Sequence, residues 1–176
     1  MHGVNDLNTL LLQKTYWGEN PFRSETISKR FSIMGRIPLE LRDNSEKKIE
    51  FNERYISSEY SANLKTFIAI CRCRGIVPVL MTEQNRFTDI PSAVVNDYMR
   101  RTFGKGGEDS YALYRKTTEL LAQSVRDVGS AEKVTVIDLA TRIPKTSQHM
   151  YDMFHFNDEG SILASEIIAK ELVQLL

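Results

Sequence analysis

The sequence is poor in cysteine, and this scarcity excludes a disulfide scaffold. Only two cysteines occur in 176 residues, Cys71 and Cys73. Two residues apart on a helix, their side chains point in different directions, so a bond between them is sterically poor. One is therefore expected in the core and the other on the surface. The histidines His2, His149 and His155 form no cluster with them at metal-ligand spacing, so we predict no metal site and no cofactor.

The sequence also lacks net charge and long apolar runs. Lys and Arg total 23, as do Asp and Glu. This balance predicts no nucleic-acid partner. No apolar run approaches the roughly 20 residues that a membrane-spanning helix needs, and the N-terminus has no basic-then-apolar signal pattern. The missing signal slightly favours the cytoplasm, although a front segment absent from the chain would take its signal peptide with it.

What is present is a composition ordinary for a single soluble domain, with 41% hydrophobic and 26% charged residues. The first helix–strand unit lies at its centre. Residues 58–74 predict a helix, Gly75 its C-terminal cap, and residues 76–82 a strand buried on both faces whose first residues are not fully paired around Pro78. The predicted buried stripe of the helix follows helical spacing: Tyr60, Leu64, Phe67, Ile68 and Cys71.

A second helix–strand unit repeats the first. Residues 111–128 carry the next apolar stripe, Gly129 is predicted to end that helix, and residues 134–139 read as the next strand. Residues 93–103 can form a further helix, and a glycine-rich loop is predicted to follow at 104–107. Asp138, at the exit of the second strand, is predicted to cap a short helix over 140–142. Helix, glycine and buried strand in this order predict an α/β fold with a parallel sheet.

Between these units and the N-terminus, about residues 14–57 show turn-forming residues and scattered large side chains without a sustained period. A connection this long is uncommon in a compact domain unless it is functional or disordered, and its aromatic content argues against disorder. We therefore expect an irregular insertion that packs over the edge of a site. Its arginines and lysines are expected to be a solvated helix face rather than an anion site.

The last stretch of the chain carries the strongest chemical signal. Asp152 and His155 are three residues apart, directly before the apolar helical pattern of residues 161–176. A tight turn can fold the carboxylate of Asp152 onto the His155 ring, which fixes one ring nitrogen as N–H and leaves the other free to take a proton. This is the base half of a hydrolytic triad. The alternative is a turn that only caps the last helix.

The other end of the chain reads His2-Gly3-Val4-Asn5-Asp6-Leu7. A Gly-x-Asn-Asp turn combined with a C-terminal Asp-x-x-His before a helix resembles the SGNH (GDSL-type) hydrolases. The resemblance implies a flavodoxin-like three-layer α/β/α fold over residues 1–176. It also implies that Asn5 is the oxyanion donor, with Gly3 beside it in the same oxyanion and substrate-binding turn, that Asp152 is the orienting acid and that His155 is the base. The polar residues after the first predicted strand, Thr82, Glu83, Gln84 and Asn85, are expected at the rim near Asn5.

The sequence departs from that family at the nucleophile. No Gly-Asp-Ser occurs in the 176 residues, and Ser110, in Glu108-Asp109-Ser110-Tyr111, is predicted to be the N-cap of a helix. Two buried strands also cannot cover their own edges and faces. We therefore expect a chain that is incomplete at its N-terminus, completed by a missing N-terminal segment or by another chain.

The resemblance implies a serine-type hydrolase of carboxylic esters, acting on small-molecule esters of small acyl groups carried by carbohydrate or lipid, with the serine outside this chain. The alternative is a catalytically inactive fragment or a flavodoxin-like binding module, since Asn, Asp and His cannot by themselves form an acyl-enzyme.

Overall fold

The computed structural model describes residues 10–11, 51–103 and 107–175, without the side chains of residues 101–109. Gly3, Asn5 and most of the predicted insertion lie outside the described residues. The helices are α1 (Glu53–Cys73), α2 (Ala93–Phe103), α3 (Gly107–Glu132), α4 (Leu139–Arg142) and α5 (Asp158–Val173), and the strands are β1 (Val79–Met81) and β2 (Thr135–Ile137). Helix α1 thus begins inside the segment predicted to be irregular.

The two strands form a small parallel sheet. Val79 pairs with Thr135, Leu80 with Val136 and Met81 with Ile137. A parallel pair needs a crossover connection, and α2 and α3 supply it between β1 and β2. The fold is therefore a mixture of helices and parallel strands, compatible with the predicted α/β class.

Apolar side chains are buried on both sides of this strand pair. Leu80 lies in a core cluster with α1 residues such as Leu64 and α3 residues such as Val125. Ile137 lies in a second cluster with Ile167 of α5. Burying one such side chain contributes about 1.5–3 kcal/mol. With strands of only three residues, this packing holds the helices in place more than the ladder does.

Helix α1 ends as predicted, at a glycine. Gly75 has a φ of +67°, in the left-handed region that costs glycine little. The Ile76 N–H donates to the Cys71 carbonyl at 2.9 Å, and the Gly75 N–H donates to the Arg72 carbonyl at 3.1 Å. These two bonds form a Schellman cap, which satisfies carbonyls that the helix leaves open.

The burial of α1 follows the prediction at all but one position. Cys71 is buried and Cys73 exposed, as expected. Phe67 was wrongly placed in the buried stripe, since 47% of it is exposed. Ile56, one turn before the first residue of the predicted stripe, is buried instead. The stripe therefore extends further toward the N-terminus than the spacing from Tyr60 indicated.

Strand β1 is shorter and less buried than predicted. Ile76 and Val77 precede it and are 57% and 73% exposed, and Met81 within it is 48% exposed. The Ile76 N–H already serves the helix cap, and Pro78 has no N–H to give. Within the predicted range only Leu80 and Thr82 are buried, so the predicted burial on both faces is wrong for most of it, while the expectation of unpaired first residues is confirmed.

Gly129 does not end the second long helix, because α3 continues to Glu132. A Cβ at Gly129 would overlap the side chain of Val136 on β2, so the glycine permits a close approach of helix and strand. The left-handed residue after the helix is Lys133, with φ +54°. Ser110 lies inside α3, which begins at Gly107, so its predicted capping role is also wrong.

Helix α5 begins at Asp158, earlier than the predicted 161. Its buried residues are Gly160, Ala164 and Ile167. Ile162 is 59% exposed, although helical spacing placed it in the apolar pattern. The buried face of α5 is thus narrower than its apolar content suggested.

Candidate active site

The carboxyl ends of the two parallel strands meet at one edge, where Thr82 follows β1 and Asp138 follows β2. The Thr82 hydroxyl donates to Asp138 Oδ1 at 2.7 Å and accepts the N–H of Ala140 at 3.0 Å. Thr82 therefore ties the two strand exits together and takes up a free N–H of the short helix α4.

The Asp138 carboxylate is occupied by an arginine of α3. Arg126 Nε donates to Oδ2 at 2.8 Å and Nη2 to Oδ1 at 3.1 Å, a bidentate pair. Burial raises the Asp138 pKa, but the bonds from Arg126 and Thr82 outweigh it, so the net pKa is lowered. Asp138 occupies the N-cap position of α4 without a side-chain cap bond, so its predicted side-chain role is wrong. Arg126 takes the carboxylate instead.

The polar residues predicted at the rim point largely inward. Thr82, Gln84 and Asn85 are buried. Gln84 Nε2 donates to the Ile143 carbonyl, and Asn85 Oδ1 accepts the N–H of Phe87 at 3.1 Å. The Gln84 side chain therefore supports the segment after β2, while that of Asn85 supports its own loop after β1. Their predicted proximity to Asn5 stays a prediction.

Arg86, which sequence reasoning missed, links the loop after β1 to the segment that carries Asp152. Its backbone N–H donates to the Met153 carbonyl at 3.0 Å, and its Nη1 donates to the Met150 carbonyl at 3.3 Å. Arg86, Met150 and Met153 are all buried. Through Arg86, the loop at the carboxyl edge of the sheet thereby holds the segment that carries the Asp152–His155 turn. In sequence, an arginine in such a loop has no distinguishing signal.

The turn itself closes on the Asp152 carboxylate. Oδ1 accepts the backbone N–H of Phe154 and of His155, each at 2.8 Å. This is an Asx turn, in which a short acid folds the chain around its own side chain. The other oxygen, Oδ2, lies 2.7 Å from His155 Nδ1. The contact that the sequence predicted between this acid and this ring is present.

These contacts decide which nitrogen of the imidazole is available. Burial raises the Asp152 pKa, but the N–H donors of Phe154 and His155 and the His155 ring outweigh it, so the net pKa is lowered and the group is an anion at neutral pH. An anionic acceptor at Nδ1 favours the Nδ1–H tautomer. Nε2 is then the free base, on a side chain that is 64% exposed. The pair can therefore accept a proton from an external hydroxyl.

The segment around the pair is a small closed loop. Met150 and Phe156 form an isolated antiparallel bridge, and the Tyr151 N–H donates to the His155 carbonyl at 3.1 Å. The Tyr151 ring also lies parallel to the His155 ring, with centroids 5.5 Å apart and planes 12° apart. This stack was not foreseen, because nothing in the sequence orients the ring of Tyr151.

The loop is anchored to the start of α5. Asn157 caps the helix by accepting the Gly160 N–H at 2.9 Å, and its side-chain amide donates to the Gln148 carbonyl at 2.8 Å. A Cβ at Gly160 would overlap the carbonyl of His149, so only glycine permits this contact. The helix start thus fixes both ends of the loop that carries the acid and the base.

A cavity of about 470 Å³ lies elsewhere on the carboxyl edge, with Asn85, Arg126, Thr141 and Lys145 among its lining residues. Lys145 donates to the Phe87 carbonyl at 2.8 Å, and burial lowers its pKa. Asp152 and His155 are not among the described residues that line this cavity. The cavity and the acid–base pair are therefore separate features of one edge.

Within residues 10–11, 51–103 and 107–175, no group of three or more His, Cys, Asp or Glu side chains is arranged to hold a metal ion. None of the helices in that same part of the chain is long and apolar enough to cross a membrane.

Gly3 and Asn5, the predicted oxyanion residues, lie outside the described part of the chain. The structure thus brings together two of the four predicted site residues, Asp152 and His155, with the geometry of a base and its orienting acid. No family model, no curated protein and no solved structure matches this chain.

Proposed function

We propose that this chain carries the acid–base part of a serine-type ester hydrolase of the SGNH kind. The observation that carries the proposal is the 2.7 Å contact between Asp152 Oδ2 and His155 Nδ1, on an exposed turn at the carboxyl edge of a parallel strand pair. Ligands of open parallel sheets bind at this edge. A free imidazole nitrogen there is suited to general-base catalysis.

The proposed reaction begins with a serine hydroxyl from a Gly-Asp-Ser segment outside these 176 residues. Its oxygen attacks the ester carbonyl carbon while His155 Nε2 takes the hydroxyl proton. The protonated ring then gives that proton to the oxygen of the leaving alcohol. Asp152 stabilises the imidazolium throughout and stays unprotonated, which its lowered pKa supports. Water, deprotonated by the same ring, releases the acid and restores the serine.

The side chain of Asn5, in the turn that also contains Gly3, and backbone N–H groups are proposed to donate to the oxyanion. Removing one such donor usually costs about 2.7–4 kcal/mol of transition-state stabilisation. The proposed fold is a three-layer α/β/α sandwich, supported by the two apolar clusters on opposite sides of the strand pair. The proposed substrates are esters of small acyl groups on carbohydrate or lipid, with about residues 14–57 as the segment that selects among them.

A second candidate is a catalytically silent binding module, favoured by two observations. The sequence contains no Gly-Asp-Ser. The Asx turn of Asp152 also closes with backbone donors alone, so the acid has a structural role that needs no catalysis. In this alternative, His155 is only a surface residue that shares the turn.

The decisive experiment replaces His155 by Ala in a polypeptide that contains both this chain and the proposed Gly-Asp-Ser segment, called the full-length parent below, and follows turnover of p-nitrophenyl acetate. Loss of the base is expected to lower kcat by about 10⁴-fold or more, as in Ser-His-Asp enzymes. His149→Ala is the matched control, because His149 contacts Thr146 rather than an acid. Wild-type turnover in His155→Ala would refute the assignment.

A fluorophosphonate probe, which labels activated serines, separates the two candidates. Labelling of the parent but not of the 176-residue chain supports an external serine. The coding sequence upstream of Met1 gives a second check, since an in-frame Gly-Asp-Ser followed by helix–strand units supports the enzyme. A parent that is neither labelled nor active supports the binding module.

A further inference from the structure

The hydrogen bond to Asp152 by itself leaves the His155 ring under-constrained. It fixes the position of Nδ1, but the exposed side chain can still rock about the line that joins Nδ1 to Oδ2. Rocking moves Nε2, which lies on the far side of the ring. General-base catalysis requires that nitrogen within about 2.6–3.2 Å of the proton it removes. Some further contact has to set the ring plane.

Tyr151 provides such a contact. Its ring lies nearly parallel to the imidazole, at 12°, with centroids 5.5 Å apart. A near-parallel pair at that separation is an offset stack, one of the two preferred aromatic geometries. The backbones of the two residues are joined as well, through the Tyr151 N–H and the His155 carbonyl. The bridge from Met150 to Phe156 fixes the same loop, so the two rings are presented as a unit.

We infer that Tyr151 is a positioning residue for His155: its ring stacks on the imidazole and holds Nε2 in the direction of the substrate. The inference rests on the proposed function for its catalytic meaning. The stack restricts the plane of the ring, the acid restricts its in-plane rotation, and together they leave Nε2 a single direction. When the ring is protonated during the reaction, the electron-rich face of Tyr151 also favours the cation.

The exposure of Tyr151 makes a clean test feasible. The residue is 63% exposed, so its replacement removes little buried surface and leaves the fold intact. Tyr151→Leu removes the aromatic face and keeps an apolar side chain. Tyr151→Phe keeps the face and removes only the hydroxyl. Tyr98→Leu, at another exposed tyrosine on α2, serves as the distant control.

The first measurement uses the 176-residue chain and needs no activity. Nitrogen-15 and proton NMR report the His155 Nδ1–H resonance and the order of the imidazole ring. In the wild type, Tyr151→Phe and Tyr98→Leu, a sharp downfield Nδ1–H signal is expected. In Tyr151→Leu the signal should broaden or vanish, and the ring order should fall, with an unchanged unfolding midpoint.

The second measurement uses the full-length parent and a short acyl ester. Tyr151→Leu is expected to lower kcat by about 2- to 12-fold with KM unchanged. Tyr151→Phe keeps the aromatic face, so its kcat is expected to equal that of the wild type. An unchanged Nδ1–H signal and ring order in Tyr151→Leu would overturn the inference. Equal losses in the Phe and Leu variants would also overturn it, because the hydroxyl rather than the ring face would be responsible.

The two measurements separate the two proposals. A parent without esterase activity, combined with a lost Nδ1–H signal in Tyr151→Leu, contradicts the hydrolase and supports the positioning of His155 by Tyr151. An active parent in which His155→Ala is inactive but Tyr151→Leu is fully active supports the hydrolase and rejects the role of Tyr151.

Discussion

Two aspartates sit in the C-terminal half of this chain with lowered pKa values, yet their surroundings differ. Asp138 follows β2 and is held by both donors of an arginine fork and by the hydroxyl of Thr82. Asp152 lies on a loop between helices, where backbone N–H groups take one oxygen and His155 takes the other. One carboxylate is neutralised inside the fold, while the other is joined to an exposed base.

The comparison shows how partner and exposure separate a structural acid from a site-like one. Arg126 keeps its charge at every accessible pH, so the Asp138 pair has no proton to exchange. An imidazole nitrogen can accept a proton and pass it on, so the Asp152 pair can take part in proton transfer. The position of Asp138 at a strand exit is equally site-like in sequence. Its partner, rather than its location, makes it structural.

The largest expected difference between the two acids concerns activity. In Asp152→Asn the remaining oxygen can still close the Asx turn, but the amide NH₂ cannot accept the Nδ1–H, so the ring should take the opposite tautomer. The same exchange in a Ser-His-Asp triad lowers kcat by about 10⁴-fold. The proposed hydrolase function therefore predicts a loss of that size, measured with a short acyl ester in the full-length parent that the proposal requires. Asp138→Asn should leave kcat unchanged, and equal losses in both variants would erase the distinction between the two acids.

The next effect concerns the free energy of unfolding, for which the Asp138 pair is expected to matter more than the Asp152–His155 pair. Asp138→Ala leaves the Arg126 guanidinium and the Thr82 hydroxyl without their acceptor, so the free energy of unfolding should fall by about 1–3 kcal/mol. His155→Ala removes a largely exposed side chain and should change it by less than about 0.5 kcal/mol. Urea unfolding at pH 7 measures both.

A control for that stability effect is the more exposed pair between Arg72 of α1 and Glu132 of α3, at 2.9 Å. Arg72→Ala should cost only about 0–1 kcal/mol, because solvent screens such pairs. If Arg72→Ala lowers the free energy of unfolding as much as Asp138→Ala does, the larger stabilising contribution expected of the Asp138–Arg126 pair is wrong.

The smallest expected effect is the pH dependence of stability. Both acids have folded-state pKa values below the unfolded value of about 3.9, so each contributes stability above that pH and loses it as the pH falls through the folded pKa. The free energy of unfolding should therefore decline below about pH 4. Asp138→Asn and Asp152→Asn should each flatten that decline, and the gap to the wild type should be widest at neutral pH. If the free energy of unfolding declines below about pH 4 as steeply in both variants as in the wild type, the lowered pKa values are contradicted.

Local patterns allowed several features to be predicted. Helical spacing located α1 and α3, residues 93–103 matched α2 at both ends, and Gly75 closed α1 with the expected cap. The fold of Asp152 onto His155 was also foreseen, because an acid three residues before a ring can reach it within one turn. These features depend on neighbours in sequence, so a sequence pattern carries them.

Other features depend on residues far apart in the chain, and here the predictions were wrong or silent. Gly129 reads as a helix end, yet it lies within α3, where the Val136 side chain leaves no room for a Cβ. Asp138 reads as a helix cap, yet Arg126 takes its carboxylate. No local pattern marks Arg86, because its two carbonyl partners lie more than sixty residues later.

The sequence by itself determined the parallel helix–strand order and the proximity of the acid and the base, since periodicity and a three-residue spacing act within a single turn of chain. Only the tertiary structure decided which aspartate is paired with an arginine, which glycine lies where a neighbouring residue leaves no room for a Cβ, and which aromatic ring stacks on the imidazole. Those outcomes come from packing between distant segments, where the space and the partner at each position are set by side chains that no local pattern identifies.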